Sequence, residues 1–450
     1  MSSSKRYDVV VLGSGPGGRG VAKRLAQAEM RVAMVESELV GGECPFWACI
    51  PSKALLRPVE VVSEAHHAPG VAAPALSWDE VSSYRDYMNS GLDDSDKFAA
   101  YSQMGIEIIR GEGRIAGPGQ VEVNSSSLET ERIVVATGTV AAIPDVHGLT
   151  AVDYWTNREA TSFHEVPQST IVLGGGPVGI ELGQLLARYG SEVTIVESAD
   201  RILAREHPSV GEMLAELLRS EEIDVRTGVE ATQVESGSGI TRLTLGDGSV
   251  VEGERLLVAT GRTPRVEGLG LEHVGVEWNA HGIKVDQRCR AAPGVWAVGD
   301  VTGVAPFTHV AAYQARLATA DIQGREARAD YRAIPRVVFS DPEVATVGLT
   351  PEQADDAGLE TTEVVVGLDE IDRTETYGKD LTGCLGLLAD RRQQVLVGAW
   401  AVGPLASEWI HTAVIAIKAE VPIDVLRDTV IQFPTFAEAM QVAAERLPAD

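Results

Sequence analysis

Asp8-Val-Val-Val-Leu-Gly13-Ser-Gly15-Pro-Gly-Gly18 opens the chain with an apolar run that stops at a cluster of glycines. A helical stretch continues to about Ala28, and a second apolar run, Arg31-Val-Ala-Met-Val35, ends at Glu36. The same order returns later: Ile171-Val-Leu173, then Gly174-Gly-Gly176-Pro-Val-Gly179, a helix to about Tyr189, and Glu192-Val-Thr-Ile-Val196 ending at Glu197. In both copies the acid follows the first glycine by 23 positions. This is the grammar of a βαβ dinucleotide-binding unit. The first glycine permits the tight turn, the second lets the backbone approach a pyrophosphate, and the third lets helix and strand pack closely. The helix N-terminus offers free N–H groups and a positive dipole end to the phosphates. The acid accepts a hydrogen bond from a ribose 2′-hydroxyl. One such turn is weak evidence; two, each with its strand, helix and acid, read as an internal duplication.

Working outward, Arg132-Ile-Val-Val-Ala-Thr-Gly138 and Glu254-Arg-Leu-Leu-Val-Ala-Thr-Gly261 are near-copies and extend the repeat. Around Ile334 the texture changes to strand-like runs followed by helical ones, with no further dinucleotide turn. The expected fold class is α/β: two doubly wound Rossmann-like domains plus an α+β C-terminal domain. The expected divisions are residues 1–150 with 267–333, residues 151–266, and residues 334–450.

The 450 residues, 44% hydrophobic and 23% charged, suit a globular chain with several cores. A net charge of −27 repels phosphate backbones and anionic lipid, so neither nucleic acid nor a membrane surface is an expected partner. No apolar run approaches the ~18 residues of a membrane span. The N-terminus has no secretory apolar segment, and four cysteines do not make a secreted disulfide scaffold. A cytoplasmic location is the expectation.

Two cysteines lie in Gly41-Gly-Glu-Cys44-Pro-Phe-Trp-Ala-Cys49-Ile-Pro-Ser-Lys53, followed by a helical stretch. Pro51 suits the first helical position. Cys49 then sits near the helix N-terminus, where the dipole favours a thiolate, and Lys53 lies one turn on. A structural zinc site needs about four close ligands; no second pair exists, so no metal is expected. Cys289 and Cys384 are isolated and read as ordinary residues.

These motifs, in this order from about Tyr7 to Glu438, resemble the class I pyridine nucleotide–disulfide oxidoreductases, the family of dihydrolipoamide dehydrogenase, glutathione reductase and mercuric reductase. The resemblance implies FAD and a nicotinamide cofactor, a redox-active Cys44–Cys49 disulfide, and a homodimer joined by the C-terminal domain. It places Gly13, Gly15 and Gly18 on the FAD pyrophosphate, Glu36 on the adenosine ribose and Asp300 on the ribityl chain. Gly42, Thr137, Gly138, Gly261, Arg262 and Gly299 become further cofactor contacts. Cys49 is the sulfur against the flavin, and Cys44 the outward sulfur that meets substrate. Lys53 lies near the flavin's reactive nitrogen, paired with Glu181. Gly174, Gly176, Gly179 and Glu197 hold the nicotinamide dinucleotide. Glu197 suits a 2′-hydroxyl and repels a 2′-phosphate, which favours NADH over NADPH.

One departure stands out. Thiol-handling members of the family end in His-Pro-Thr-x-x-Glu, with the His as acid/base and the Glu orienting it. Here Phe433-Pro-Thr435-Phe-Ala-Glu438 keeps the Pro, Thr and Glu but has Phe433 at the His position. The cysteine pair near the C-terminus that mercuric reductases carry is missing too, since no cysteine follows Cys384. The leading expectation is electron transfer from NADH through FAD and the cysteine pair to a disulfide-type substrate, with dihydrolipoamide the nearest named one. The alternative is a quinone, metal ion or other small electrophile, with Phe433, Phe436, Trp47 and Phe46 as an aromatic surface. A protein that binds FAD without enzymatic activity is a minor third reading.

Overall fold

The computed structural model describes residues 5–448 apart from 73, 379 and 380. Two compact units emerge. The first gathers residues up to Ala54, Ser82–Ala142 and Gly261–Asp330; the second gathers Leu55–Val81, Ile143–Thr260 and the chain from Tyr331 onward. Among the described residues no helix is long and apolar enough to cross a membrane.

The first unit is built on a six-stranded sheet in the order Arg290–Ala292, Val295–Ala297, Ile133–Val135, Val9–Leu12, Val32–Glu36, Ile106–Arg110. All neighbours pair in parallel except the first two. Every residue of Val9–Leu12 and of Val32–Glu36 is buried. Parallel strands covered on both faces must be continuously apolar, which is why these runs lack the alternation of an exposed sheet. The helix Pro16–Gln27 is the crossover between them.

The second unit repeats the plan with Asp224–Arg226, Glu192–Val196, Ser169–Leu173 and Arg255–Val258, all parallel, and the crossover helix Pro177–Arg188. The duplication holds at atomic detail. Gly13 donates its N–H to Val35 at 2.8 Å, and Gly174 donates to Val196 at 2.8 Å.

The same unit holds an antiparallel five-stranded sheet in the order Pro335–Val338, Glu343–Gly348, Val395–Gly403, Cys384–Asp390, Thr361–Gly367. Side chains of the helix Pro177–Arg188 reach this C-terminal region. Glu181 accepts the Phe339 N–H at 2.9 Å, Gln184 accepts the Asp341 N–H at 2.8 Å, and Arg188 pairs with Asp341 at 2.7 Å. Leu182 and Leu185 share one apolar core with Val338, Val344 and Trp400. The texture change near Ile334 marks a new sheet, yet the second glycine-turn helix and that sheet pack as one body. Two details of the expected local structure change. A short helix, Glu43–Trp47, precedes the long one, and the long helix begins at Cys49, so Pro51 is its third residue rather than its first. That position is still within the first turn, where a missing N–H costs nothing.

The closest approach in each crossover is the third glycine against the first. A Cβ on Gly18 would lie 1.9 Å from the Gly13 carbonyl oxygen, and one on Gly179 would lie 2.0 Å from that of Gly174. Gly18→Ala and Gly179→Ala should each lower stability by roughly 1–3 kcal/mol, the usual cost of overpacking. Gly117→Ala, where a Cβ meets no atom within 4 Å, should leave it nearly unchanged. Urea unfolding followed by circular dichroism distinguishes them.

Candidate active site

The second glycine of each turn differs from its neighbours. Around Gly13 and Gly174 a Cβ would strike the Ala136 and Ala259 carbonyl oxygens at 2.3 and 2.5 Å, whereas at Gly15 and Gly176 it meets nothing within 4 Å. Both turns are therefore walled by protein on two sides and open at the middle glycine, directly before a helix N-terminus. That is a cradle shaped for a ligand's phosphates. The Gly15 cradle has a further wall, since Gly42 comes so near that a Cβ on it would lie 2.6 Å from the Gly15 Cα.

The acids at the ends of the second strands are held by backbone amides. Glu36 accepts from the Ser14 N–H at 2.9 Å, the Ser14 hydroxyl at 2.5 Å and the Glu38 N–H at 2.9 Å. Glu197 accepts from the Gly175 N–H at 2.6 Å and the Ala199 N–H at 2.8 Å. Each carboxylate is thus bound to its glycine turn and fixed beside the cradle. Among the described residues no group of three or more His, Cys, Asp or Glu side chains could hold a metal ion.

Asp300 begins a turn whose shape is set by a buried side chain that sequence reading passed over. Gln314 accepts the Gly299 N–H at 2.6 Å and donates to the Thr302 hydroxyl at 3.1 Å, while Thr302 donates back to the Gly299 carbonyl at 2.8 Å. Burial raises the Asp300 carboxyl above its ordinary pKa, and the Arg262 charge and the Thr139 hydroxyl oppose that shift. Arg262 donates to the Thr139 hydroxyl at 2.6 Å and pairs with Glu43. Thr137 donates to the Arg265 carbonyl at 2.7 Å, and Gly138 accepts the Arg265 N–H at 2.9 Å, which joins the first Ala-Thr-Gly run to the strand after Gly261.

Cys44 and Cys49 are thiols here, both half-buried and hydrogen-bonded to one another. Cys49 is the acidic partner, with its pKa lowered to about 6. The hydrogen bond from Cys44 is the largest cause; the Thr308 hydroxyl and the Lys53 charge add to it, and burial works against them. Cys44 moves the other way, raised first by its bond to Cys49 and then by burial and by the neighbouring charge. The pair thus holds one labile proton, seated on Cys44, and one thiolate on Cys49. Thr308, 3.5 Å from the Cys49 sulfur, is 259 positions away in the chain and lay outside the sequence reading. Its place as the first residue of the helix Thr308–Ile322 adds that helix's positive end to the thiolate's surroundings. Cys289 and Cys384 are buried, and burial pushes the Cys384 thiol up to about 11.

In the second unit Phe433 is 68% exposed, and Val430 nearby is 96% exposed. Glu438, the first residue of the helix Glu438–Arg446, accepts the Thr435 N–H at 3.1 Å. Without a histidine to orient, its carboxylate closes the local turn. The expected aromatic surface is smaller than the composition of these segments implies. Phe46 is fully buried, with Lys97 4.5 Å from its ring centroid, and Phe436 packs in the C-terminal core against Tyr377. Both are core residues. Trp47 is half-buried, and Phe433 alone of the four is exposed. His309 is exposed and stacks on Phe307 with ring centroids 5.2 Å apart; His411 is also exposed.

Thr308→Val removes a hydrogen bond that favours the Cys49 thiolate. Thiolate absorbance in the wild-type dithiol should rise as pH passes through about 6. In the variant that rise should shift to higher pH, toward the ordinary thiol value of about 8.5. An unshifted titration would show that Thr308 has no influence on the sulfur.

Residues 7–315 match the family described as pyridine nucleotide-disulphide oxidoreductase, and residues 334–444 match its dimerisation domain. A dihydrolipoyl dehydrogenase from Thermus scotoductus is 34% identical, over 98% of this chain and 98% of that protein. A mercuric reductase from Streptomyces lividans is 34% identical, over 99% of this chain and 97% of that protein. Among solved structures, a Cu(II) complex of the HOCl-induced flavoprotein disulfide reductase RclA from Escherichia coli superposes with a TM-score of 0.87 at 25% identity, covering 98% of this chain and 100% of the other. With Rossmann-type sheets, glycine cradles and a facing cysteine pair already in place, these likenesses show that the chain belongs to the pyridine nucleotide-disulphide oxidoreductases, flavoenzymes that use FAD and a pyridine nucleotide.

Proposed function

We propose that this protein is an NADH-dependent FAD oxidoreductase that stores an electron pair on Cys44 and Cys49 and releases it to a small thiol-reactive acceptor. The observation that carries this reading is the polarised sulfur pair: Cys49 held as a thiolate beside Thr308 and Lys53, and Cys44 holding the proton. Gly13, Gly15 and Gly18 hold the FAD pyrophosphate, with Glu36 on the adenosine ribose and Asp300 on the ribityl chain. Gly42, Thr137, Gly138, Gly261, Arg262 and Gly299 shape the rest of that site. The open side of Gly15 between two crowded glycines supports the assignment. Gly174, Gly176 and Gly179 do the same for the nicotinamide dinucleotide. The Glu197 carboxylate repels a 2′-phosphate, which supports NADH over NADPH. When bound, FAD supplies the two-electron link between hydride donor and disulfide. In the reductive half, the hydride of NADH supplies two electrons and one proton, which convert the Cys44–Cys49 disulfide to one thiol and one thiolate and leave NAD⁺. Cys49 stays ionised because Thr308 and Lys53 stabilise the charge, and Cys44, the more basic sulfur, takes the proton. Lys53 balances charge during reduction.

The acceptor reading turns on Phe433. Phenylalanine transfers no proton, and a positioned acid/base contributes about 10²–10⁴-fold to such steps. An acceptor that bonds to sulfur directly, such as a thiol-binding metal ion, or one that takes electrons without sulfur protonation, such as a quinone, is therefore favoured over a disulfide. The likeness to mercuric reductases and to a reductase solved with Cu(II) supports the metal-ion form. Disulfide reduction, with a dihydrolipoyl dehydrogenase among the relatives, is the second reading. A homodimer is proposed from the dimerisation-domain match and the exposed Val430 and Phe433.

Anaerobic NADH titration should consume two equivalents per FAD and raise a long-wavelength absorbance band at the first. Cys49→Ser should abolish that band, and purified protein that carries no flavin would end the proposal. In a panel of acceptors, turnover with metal ions or quinones should exceed that with lipoamide. Phe433→His should raise lipoamide turnover by at least about 10²-fold, the lower end of the acid/base range. Wild-type lipoamide turnover equal to that with the other acceptors would restore the disulfide reading.

A further inference from the structure

We infer that Glu43 is a positioning residue that locks Cys44 in the geometry needed to pair with Cys49; this rests on the dithiol reading above. Glu43 directly precedes Cys44 and opens the five-residue helix Glu43–Trp47. Its N-cap residue, Gly42, has φ 74° and gives that helix no side-chain cap. Five residues are too few to be stable on their own, so tertiary contacts must hold the segment. The buried Phe46 ring anchors its far end, and the Glu43 side chain anchors the end next to Cys44. Glu43 pairs with Arg262, and both groups are mostly withdrawn from solvent, with side-chain exposures of 20% and 23%.

Arg262 is itself fixed. Its guanidinium also donates to the Thr139 hydroxyl at 2.6 Å and to the Thr139 carbonyl at 3.1 Å. Thr139 in turn donates to Asp300 at 3.4 Å. The group thus links the cysteine loop to the strands Thr139–Ala141 and Arg262–Pro264 and to the Asp300 turn. A partly buried guanidinium–carboxylate bond is stiffer and stronger than a neutral one. The Cys44 backbone, one residue away, inherits that stiffness. Holding two sulfurs together raises their effective concentration for disulfide formation, as any pre-paid orientation does. Glu43 therefore biases the disulfide equilibrium of the pair through the backbone next to Cys44.

The test uses the FAD-loaded protein in glutathione redox buffers, without NADH. Two glutathione thiols reduce the disulfide, giving the Cys44–Cys49 dithiol and one glutathione disulfide, and alkylation with mass readout counts both forms. Glu43→Ala should lower the disulfide formation constant by about tenfold, which is about 1.4 kcal/mol and of the order of one hydrogen bond to a charged group. Glu43→Gln, which still accepts from Arg262, should lower it by less. The ratio of FAD to protein should stay that of wild type. An unchanged constant in both variants overturns the inference alone. Loss of FAD from both also overturns it, because the network would then serve cofactor retention. Failure of the wild-type protein to form any Cys44–Cys49 disulfide overturns this inference and the proposed function together.

Discussion

The carbonyl oxygen of Gly13 occupies the place where a Cβ on Gly18 would sit, and that of Gly174 does the same for Gly179. This contact brings each crossover helix down onto its strand. The helix N-terminus and the open middle glycine then lie beside the residue of the turn that the acid of the next strand holds by hydrogen bond. Any larger side chain at the third glycine would lift the helix and take the cradle with it. The same constraint operates twice, with matching hydrogen bonds from the first glycine to the second strand. One piece of steric chemistry therefore organises both nucleotide-binding regions.

The cysteine pair is governed by electrostatics. Burial alone would hold both sulfurs neutral, and the Cys384 thiol shows that outcome. The two partners escape it by sharing a proton unequally. The Cys44 hydrogen bond, helped by the Thr308 hydroxyl and the Lys53 charge, makes Cys49 the charged member, and its bond and charge make Cys44 less acidic. This division of labour suits a redox pair in which one sulfur faces the electron source and the other faces the acceptor. It needs no histidine at this stage. In the proposed function, the absence of a proton carrier at Phe433 bears on the delivery of electrons and not on their storage.

Two acids in the motif-bearing segments have different fates. Glu438 keeps its place in the Pro-Thr-x-x-Glu spacing, but it serves the turn at Thr435. Glu43, in a segment dominated by the two cysteines, ties that segment to Arg262. Motif spacing makes the first visible although Phe433 stands where the family motif has His, whereas the second falls between the two motif positions that attract notice.

The sequence by itself determined the duplicated βαβ plan, the glycine cradles with their acids, and the closeness of the two cysteines proposed as the redox pair. Each rests on interactions among residues within about two dozen positions, where spacing and residue type decide geometry. It also exposed the missing histidine, because a single replacement inside a kept spacing is visible without coordinates. Tertiary structure alone decided what surrounds these groups. Thr308 meets Cys49 across 259 positions, and Phe46 and Phe436 prove to be core rather than surface. The packing of the Pro177–Arg188 helix against the C-terminal sheet is of the same kind. Burial and long-range hydrogen bonds depend on which elements are brought together, and no local pattern of side chains encodes that.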